Sequence, residues 1–163
     1  MKSKSEIGNR NLIKRSPTPI TYGISLLYLG AMTKITASHV IDCTRSIRIG
    51  NYSIIAGLSS QLWTHGYFHE ANGPGRFRVD GEIIIGNNVY VGSKCVFNLG
   101  VKVADSITIG SNSSVSKSLL HKGMYVSQPL RYLESDANTA REKLIKVEVE
   151  NLIEQVYEKK IDL

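Results

Sequence analysis

A spacing of six residues runs through the middle of the chain and restricts its fold more than any other feature. Between residues 83 and 119 an apolar residue returns at every sixth position: Ile85, Val91, Phe97, Val103, Ile109 and Val115. The residue after each is small or turn-forming: Gly86, Gly92, Asn98, Ala104, Gly110 and Ser116. A helix repeats about every 3.6 residues and a strand about every two, so neither alone produces this pattern. Hexapeptide periodicity predicts a parallel β-helix, an all-β solenoid.

The same register predicts which side chains point into the solenoid. The fifth position of each hexad is also apolar or small: Val89, Cys95, Val101, Ile107, Ser113 and Leu119. Each hexad then forms one short strand and one corner, and a small second residue lets the backbone turn without a Cβ clash. We expect the first and fifth positions to stack on their copies one coil away, because a solenoid buries its core only between neighbouring coils.

Counting back in sixes from Ile85 extends the register to residue 25. None of the earlier first and fifth positions is charged, Gly or Pro: Ser25, Leu29, Ala31, Ile35, Ala37, Ile41, Cys43, Ile47, Ile49, Ser53, Ile55 and Ser59. In the earliest coils the small residue comes first and the large one fifth, and later the first position becomes the large one, so the total inward volume is roughly kept. Hexads are therefore predicted over residues 25–60 and 79–120.

Three segments lie outside this pattern. Residues 1–24 are basic and contain prolines, which favours a mobile arm or first cap. Residues 61–78 interrupt the repeats with aromatic, His and Arg residues, so we interpret them as a functional loop, the alternative being a disordered insertion. After the solenoid domain (25–133), Thr139 and Glu142 in the last segment (134–163) match the pattern of a capping box. An apolar stripe from Ile145 to Val156 then predicts an amphipathic helix.

Charge and cysteine content restrict the function. A net charge of +6 and a pI near 9.3 favour an anionic partner. The basic residues are scattered, with no recognition helix or aromatic stacking platform, so we expect a phosphate-bearing small ligand and no nucleic acid. Cys43 and Cys95 fall on inward positions, which favours packing over a disulfide or a reactive thiol. No apolar run approaches the roughly 18 residues of a membrane span and no secretory signal is evident, so we expect a cytoplasmic protein without a transmembrane segment.

Two blocks of sequence resemble a known family. They are I-I-I-G-N-N-V-Y-V-G at 83–92, followed by N-L-G-V at 98–101, and the segment G-M-Y-V-S-Q-P-L-R at 123–131. They are similar to the left-handed β-helix, hexapeptide-repeat acyltransferases, such as galactoside and maltose O-acetyltransferases and the sugar acetyltransferases of bacterial surface-polysaccharide biosynthesis. The resemblance covers roughly residues 31–133, with Leu99 in place of the usual proline. It implies acetyl-CoA as donor, a sugar or nucleotide-sugar acceptor, and a homotrimer with active sites between subunits.

The resemblance also implies a catalytic base. In the family this base is a histidine at the start of the interrupting loop, and His65 has that position. Imidazole suits the removal of a hydroxyl proton near neutral pH. His69 competes for the role. Histidines also bind zinc in the γ-class carbonic anhydrases, which share this solenoid, but neither His39 nor His121 matches the third ligand, so we expect surface histidines there and no metal.

The donor site follows from the same resemblance. It implies that coenzyme A contacts Ser93, Ser111, Ser116, Lys117 and Arg131. The N–H of Ser93 is the candidate donor to the oxyanion, and the two cations suit the phosphates. With both cysteines pointing inward, we expect direct transfer through a ternary complex. A sugar N-acetyltransferase and a non-catalytic solenoid that binds an acidic partner remain alternatives.

Overall fold

Three parallel sheets form the faces of a triangular solenoid in the computed structural model, which describes residues 1, 3–72, 74–127, 137–150 and 155–159. Face A contains β1 (Glu6–Ile7), β4 (Lys34–Ala37), β7 (Ile54–Leu58), β12 (Tyr90–Val91), β15 (Ile107–Ile109) and β17 (Gly123–Tyr125). Face B contains β2 (Leu12–Lys14), β5 (Val40–Asp42), β8 (Gln61–Leu62), β13 (Val96–Phe97) and β16 (Ser114–Val115). Face C contains β3 (Leu27–Leu29), β6 (Ile47–Ile49), β11 (Ile83–Ile85) and β14 (Lys102–Val103).

Strand register confirms the six-residue repeat in the last coils but not in the early ones, where Leu29 pairs with Ile49 and their coil has 20 residues. In the last coils each residue pairs with the residue three hexads further on: Ile84 with Lys102, Tyr90 with Thr108, and Val96 with Ser114. The chain passes from face A to face B to face C and then begins the next coil. Each coil therefore supplies one strand to each face, and its open edges are paired with the coils above and below.

The core consists of the inward positions that the six-residue register predicts. All first-position residues from Ile85 to Val115 are at most 4% exposed. One prediction fails, since Ser59 is exposed. The reason is a bulge in β7, where Ile35 pairs with Ile55 but Ala37 pairs with Leu58. The bulge shifts the register, so Ser60 and Leu62 are the next two buried residues.

The N-terminal segment is the first coil. Strands β1 and β2 pair in parallel with β4 and β5, and a short 3₁₀ helix (Thr18–Ile20) follows. These two strands are the first members of faces A and B, and we call this coil the cap. The cap closes the end of the core, which would otherwise expose the apolar side chains of the next coil.

The interrupting segment is a β-hairpin and not an irregular loop. Strand β9 (His65–His69) pairs antiparallel with β10 (Arg76–Asp80). Two C-terminal strands extend this pair, β19 (Gln155–Lys159) in parallel with β10 and β18 (Leu144–Val147) antiparallel to β19. We call these four strands the side sheet.

The predicted C-terminal helix is corrected by the structure. In the described residues the helix α1 spans Ala137–Glu142, and the two ends of the apolar stripe, Ile145 and Val156, lie in β18 and β19. Without β19, the edge of β10 would have unpaired backbone N–H and C=O groups, and pairing with β19 satisfies them. The side chain of Val156 in β19 is buried, at 2% exposure. This tertiary pairing overrides the local helical pattern. Within the described residues, no helix has the length and apolar character needed to cross a bilayer.

Candidate active site

A buried aspartate orients the histidine at the start of the hairpin. Nδ1 of His65 lies 2.8 Å from Oδ2 of Asp42, the last residue of β5. The Asp42 side chain is 1% exposed, whereas that of His65 is 23% exposed. One ring nitrogen is therefore fixed against a carboxylate, and the imidazole remains accessible from solvent.

Three further donors surround the Asp42 carboxylate. Oδ1 accepts from the Thr44 hydroxyl at 2.8 Å, and Oδ2 accepts from the Thr64 hydroxyl at 2.9 Å and the Thr64 N–H at 3.1 Å. Burial raises the pKa of Asp42, but the hydrogen bonds from His65, Thr44 and Thr64 and the charge of His65 outweigh it and lower the pKa to about 2. An ionised carboxylate only accepts, so Nδ1 of His65 carries the proton and Nε2 is left as the basic nitrogen of the neutral ring.

Two aromatic rings flank His65. The ring of Trp63 is 6.5 Å away and that of Tyr67 is 6.3 Å away, both edge-on. A cation lies over each ring, with Lys14 Nζ at 4.9 Å from the Trp63 centroid and the Arg76 guanidinium at 5.8 Å from the Tyr67 centroid. Such rings provide apolar surface for a ligand beside the imidazole, and the cations favour an anionic one.

Behind the hairpin lies a second group of buried charges. Asp80 is directly opposite His65 in the β9–β10 register and is fully buried. Arg78 is 1% exposed, donates from Nη2 to Oδ2 of Asp80 at 3.0 Å, and donates from Nη1 to the Ile20 carbonyl at 2.8 Å. Burial raises the pKa of Asp80 above its ordinary value, while the charge of Arg78 opposes this shift.

Comparison with known proteins identifies the fold. The sequence is 29% identical over 123 residues to the galactoside O-acetyltransferase of Escherichia coli (strain K12), covering 72% of this chain and 57% of that protein. The structure superposes with a maltose O-acetyltransferase of Clostridium difficile 630 at a TM-score of 0.60 and 20% identity, covering 81% of this chain and 68% of the other. The fold is the left-handed β-helix of the hexapeptide-repeat acyltransferases. No family model matches the sequence.

A more distant left-handed β-helix structure contains ligands. It is a mutant of AntD, an N-acyltransferase of Bacillus cereus, in complex with dTDP-4-amino-4,6-dideoxyglucose and coenzyme A. The TM-score is 0.52 at 17% identity, covering 86% of this chain and 87% of the other. At this identity the likeness extends to the fold alone.

The sequence-predicted site residues lie along two different edges of the left-handed β-helix. Trp63, which precedes His65, follows β8 on face B, and Ser116 and Lys117 follow β16 on the same face, both exposed. Ser93 and Ser111 occupy the opposite edge, where face A turns into face B. They are one coil apart, since the Ser93 carbonyl accepts from the Asn112 N–H at 2.8 Å. Arg131 lies outside the described residues.

The competing histidine is at the other end of β9. His69 is exposed and pairs in register with Arg76 at the hairpin tip. Its Cα lies four residue steps along the strand from that of His65, a distance of roughly 13 Å. It therefore has no access to Asp42.

The remaining histidines and cysteines are structural or superficial. His39, predicted at the surface, is fully buried, which corrects the prediction. Its Nδ1 accepts from the Ser60 N–H at 3.1 Å and its Nε2 is 3.0 Å from the Thr36 hydroxyl, so the ring fills a polar gap between coils. His121 is exposed, and Cys43 and Cys95 are buried. Among the described residues, no three His, Cys, Asp or Glu side chains are arranged to hold a metal ion.

Sequence reasoning missed Asp42 and its threonines. One signal was present, because an acidic residue within a strand is unusual when the neighbouring positions are apolar, as in the sequence V-I-D-C-T of residues 40–44. Its distance in sequence from His65, 23 residues, is close to one coil. A carboxylate one coil before a candidate base is thus a pattern that a hexapeptide register can detect.

Proposed function

We propose that this protein is an acetyltransferase that moves the acetyl group of acetyl-CoA to a sugar hydroxyl, with His65 as general base. The observation that carries the proposal is the Asp42–His65 pair, in which a buried carboxylate orients a partly exposed imidazole. A general base needs this arrangement, because the outward nitrogen must be unprotonated and within reach of the acceptor.

The transfer requires one proton movement in each direction. Nε2 of His65 takes the hydroxyl proton while the acceptor oxygen attacks the thioester carbon, and Asp42 stabilises the imidazolium that forms. The C–S bond then breaks, and the proton returns from His65 to the departing thiolate of coenzyme A. The Ser93 N–H is the proposed donor to the intermediate's oxyanion.

Direct transfer in a ternary complex fits the state of the cysteines. Cys95 is fully buried, and Cys43 is 8% exposed. Burial raises the pKa of Cys43 to about 11 and also raises the pKa of Cys95. Neither thiol is suited to become an acylated nucleophile.

The two edges of face B favour an intersubunit site in a homotrimer. His65 and Lys117 lie at one edge, whereas Ser93 and Ser111 lie at the other. A face several residues wide separates these groups within one chain. A cleft between neighbouring solenoids would bring one edge of each together, and coenzyme A would bind along it with its phosphates near Lys117 and Arg131.

The acceptor is proposed to be a sugar or nucleotide sugar, in surface-polysaccharide biosynthesis. The rings of Trp63 and Tyr67 beside His65 suit the apolar face of a sugar, and Lys14 and Arg76 suit a phosphate. A second candidate is transfer to an amino sugar, favoured by the shared fold with the N-acyltransferase AntD.

One experiment separates these readings. The protein is incubated with acetyl-CoA and a panel of sugars, amino sugars and nucleotide sugars, and mass spectrometry reports addition of one acetyl group. We expect acetylation of a hydroxyl acceptor together with thermal stabilisation by acetyl-CoA alone, because a ligand that binds the folded state stabilises it. A non-catalytic solenoid would show neither effect, and acetylation restricted to amino sugars would establish the second candidate.

A further inference from the structure

We propose that Asp80 is a positioning residue for His65, and that the C-terminal strand β19 contributes to the active site through Glu158. This inference rests on the proposed role of His65 as a base. It assigns a task to a set of buried and partly buried charges that the transfer itself does not use. These are Arg45, Arg78, Asp80 and Glu158, which we call the charge layer.

The side sheet places three ionisable residues in one row. His65 pairs with Asp80 across β9 and β10, and Asp80 pairs with Glu158 across β10 and β19. Directly opposed residues of neighbouring strands point to the same face, with Cβ atoms roughly 5 Å apart. Asp80 is therefore the carboxylate next to His65 in this row, and Glu158, from the C-terminal strand β19, is the one after it.

Asp80 is held in a fixed position. The Nε and Nη2 atoms of Arg78 are each 3.0 Å from its carboxylate oxygens, and both side chains are at most 1% exposed. A guanidinium stays charged when buried, so it keeps this carboxylate ionised beside the histidine. A buried ion pair adds little net stability compared with apolar residues of the same volume. Its electrostatic effect on His65 is a better account of its position.

Arg45 connects β19 to the other side of the histidine. Its Nη2 donates to Oε1 of Glu158 at 2.7 Å, and its guanidinium lies 4.5 Å from the Tyr22 ring centroid. The Arg45 N–H donates to the Thr64 hydroxyl at 2.9 Å, and that hydroxyl donates to Asp42. Glu158 is thus linked through Arg45 and Thr64 to the carboxylate that orients His65.

The charges around His65 nearly cancel. Asp42 from β5, Asp80 from β10 and Glu158 from β19 are opposed by Arg45 and Arg78, which leaves one net negative charge. The same potential is felt by Tyr22, whose pKa is raised by burial and by Asp80 and Glu158. The other groups beside His65 are Tyr67 and Trp63, with Lys14 over the Trp63 ring.

Protonation of His65 brings the net charge of His65 and these five neighbouring side chains to zero. During the reaction the imidazole changes from neutral to cationic, so a net negative charge nearby stabilises the species formed by proton transfer. Charge interactions are stronger in a buried site than in water. The charge layer would therefore make the His65 imidazole a stronger base toward the acceptor hydroxyl, in addition to fixing the orientation of its ring.

The test compares Asp80→Asn and Glu158→Gln with matched controls. Asp105→Asn removes an exposed aspartate that binds Asn87, and Glu6→Gln removes the exposed ion-pair partner of Lys34. We expect kcat to fall about tenfold or more in Asp80→Asn and less in Glu158→Gln, with the acidic midpoint of the pH–rate profile moved to lower pH by roughly one unit in the first. The controls should change neither quantity.

An NMR titration of the His65 ring in the unliganded protein gives a readout independent of turnover. Its midpoint should move to lower pH in both layer variants, even if no acceptor is ever found. Loss of stability or of kcat with an unmoved midpoint would overturn the proposal and leave the charge layer a purely structural feature. If Asp80→Asn does not fold, the Glu158→Gln midpoint decides between the two outcomes. Absence of acetyl transfer by the wild type, with midpoints that move as expected, would contradict the proposed function alone.

Discussion

The imidazole of His65 and the carboxylate of Asp42 meet at 2.8 Å although 23 residues separate them in sequence. One coil of the solenoid closes this separation, since β5 and β8 are neighbours on face B. The base and the group that orients it are therefore positioned by the repeat itself, and the contact does not depend on the mobility of a long loop.

Replacement of Asp42 by Asn should reduce turnover while the site keeps its shape. The amide can present an N–H to Nδ1, which would favour the wrong tautomer of His65 and remove the charge that stabilises the imidazolium. We expect kcat to fall by roughly 10- to 10³-fold with little change in the Kd of acetyl-CoA. Steady-state kinetics and calorimetric binding measure the two quantities. Asp105→Asn serves as the control, and equal kinetics in both variants would exclude a role for Asp42.

The same carboxylate should make the fold sensitive to acid. The folded protein holds the pKa of Asp42 at about 2, below the ordinary value of 3.8. Its ionised form therefore stabilises the fold above pH 3.8, and this contribution is lost as the pH falls through about 2. We expect Asp42→Asn to lower the free energy of unfolding more at about pH 5 than at about pH 2.5, by roughly 1–2 kcal/mol. Urea denaturation at both pH values checks this, and an equal loss at both would contradict the assigned pKa.

Lys117 should act on the phosphates of coenzyme A and not on the acyl group. A lost charge-assisted hydrogen bond corresponds to roughly a tenfold or greater increase in Kd. We expect Lys117→Ala to raise the Kd of acetyl-CoA by this factor. The Kd of acetyl-pantetheine should not change, because this ligand has no nucleotide phosphates. Lys102→Ala on face C is the matched control. Equal weakening of both ligands by Lys117→Ala would place the lysine elsewhere in the site.

The close stacking of coils predicts a contrast between two glycines of the same hexad position. A Cβ on Gly50 would lie 2.6 Å from the carbonyl carbon of Gly86 in the next coil, whereas a Cβ on Gly110 would meet nothing closer than a Val126 methyl at 3.4 Å. We expect Gly50→Ala to destabilise the protein by about 1–3 kcal/mol and Gly110→Ala to stay within about 0.5 kcal/mol of the wild type. Thermal unfolding at equal protein concentration measures both. Similar melting temperatures would show that the coils can separate locally.

The solenoid was predictable because every hexad repeats the same pattern of apolar and small residues. A single first-position residue such as Phe97 is ambiguous, but six of them at equal spacing are not. The bulge at Gly57 and the buried ring of His39 were not predictable in this way. The bulge depends on one extra residue in one coil, and the burial of His39 depends on one polar gap between coils. A pattern inferred from all the hexads together does not contain such differences between single coils.

The C-terminal strands escaped prediction for a different reason. Ile145 and Val156 fit a helical stripe when they are considered alone, yet they pair across the side sheet with partners from residues 76–80 and 155–159. The decisive factor is the open edge of β10, which exists only after the hairpin has formed. Asp80 likewise has no recognisable pattern in sequence, since its position opposite His65 is a property of the hairpin register.

The most direct measurement compares acetyl transfer by His65→Ala and His69→Ala. Both variants remove an imidazole from the same strand, but only His65 contacts Asp42. We expect His65→Ala to lower kcat by roughly 10²- to 10⁴-fold while acetyl-CoA binding is retained, and His69→Ala to keep most of the wild-type rate. A wild-type rate in His65→Ala, or a selective loss of activity in His69→Ala, would contradict the assignment of His65 as the base.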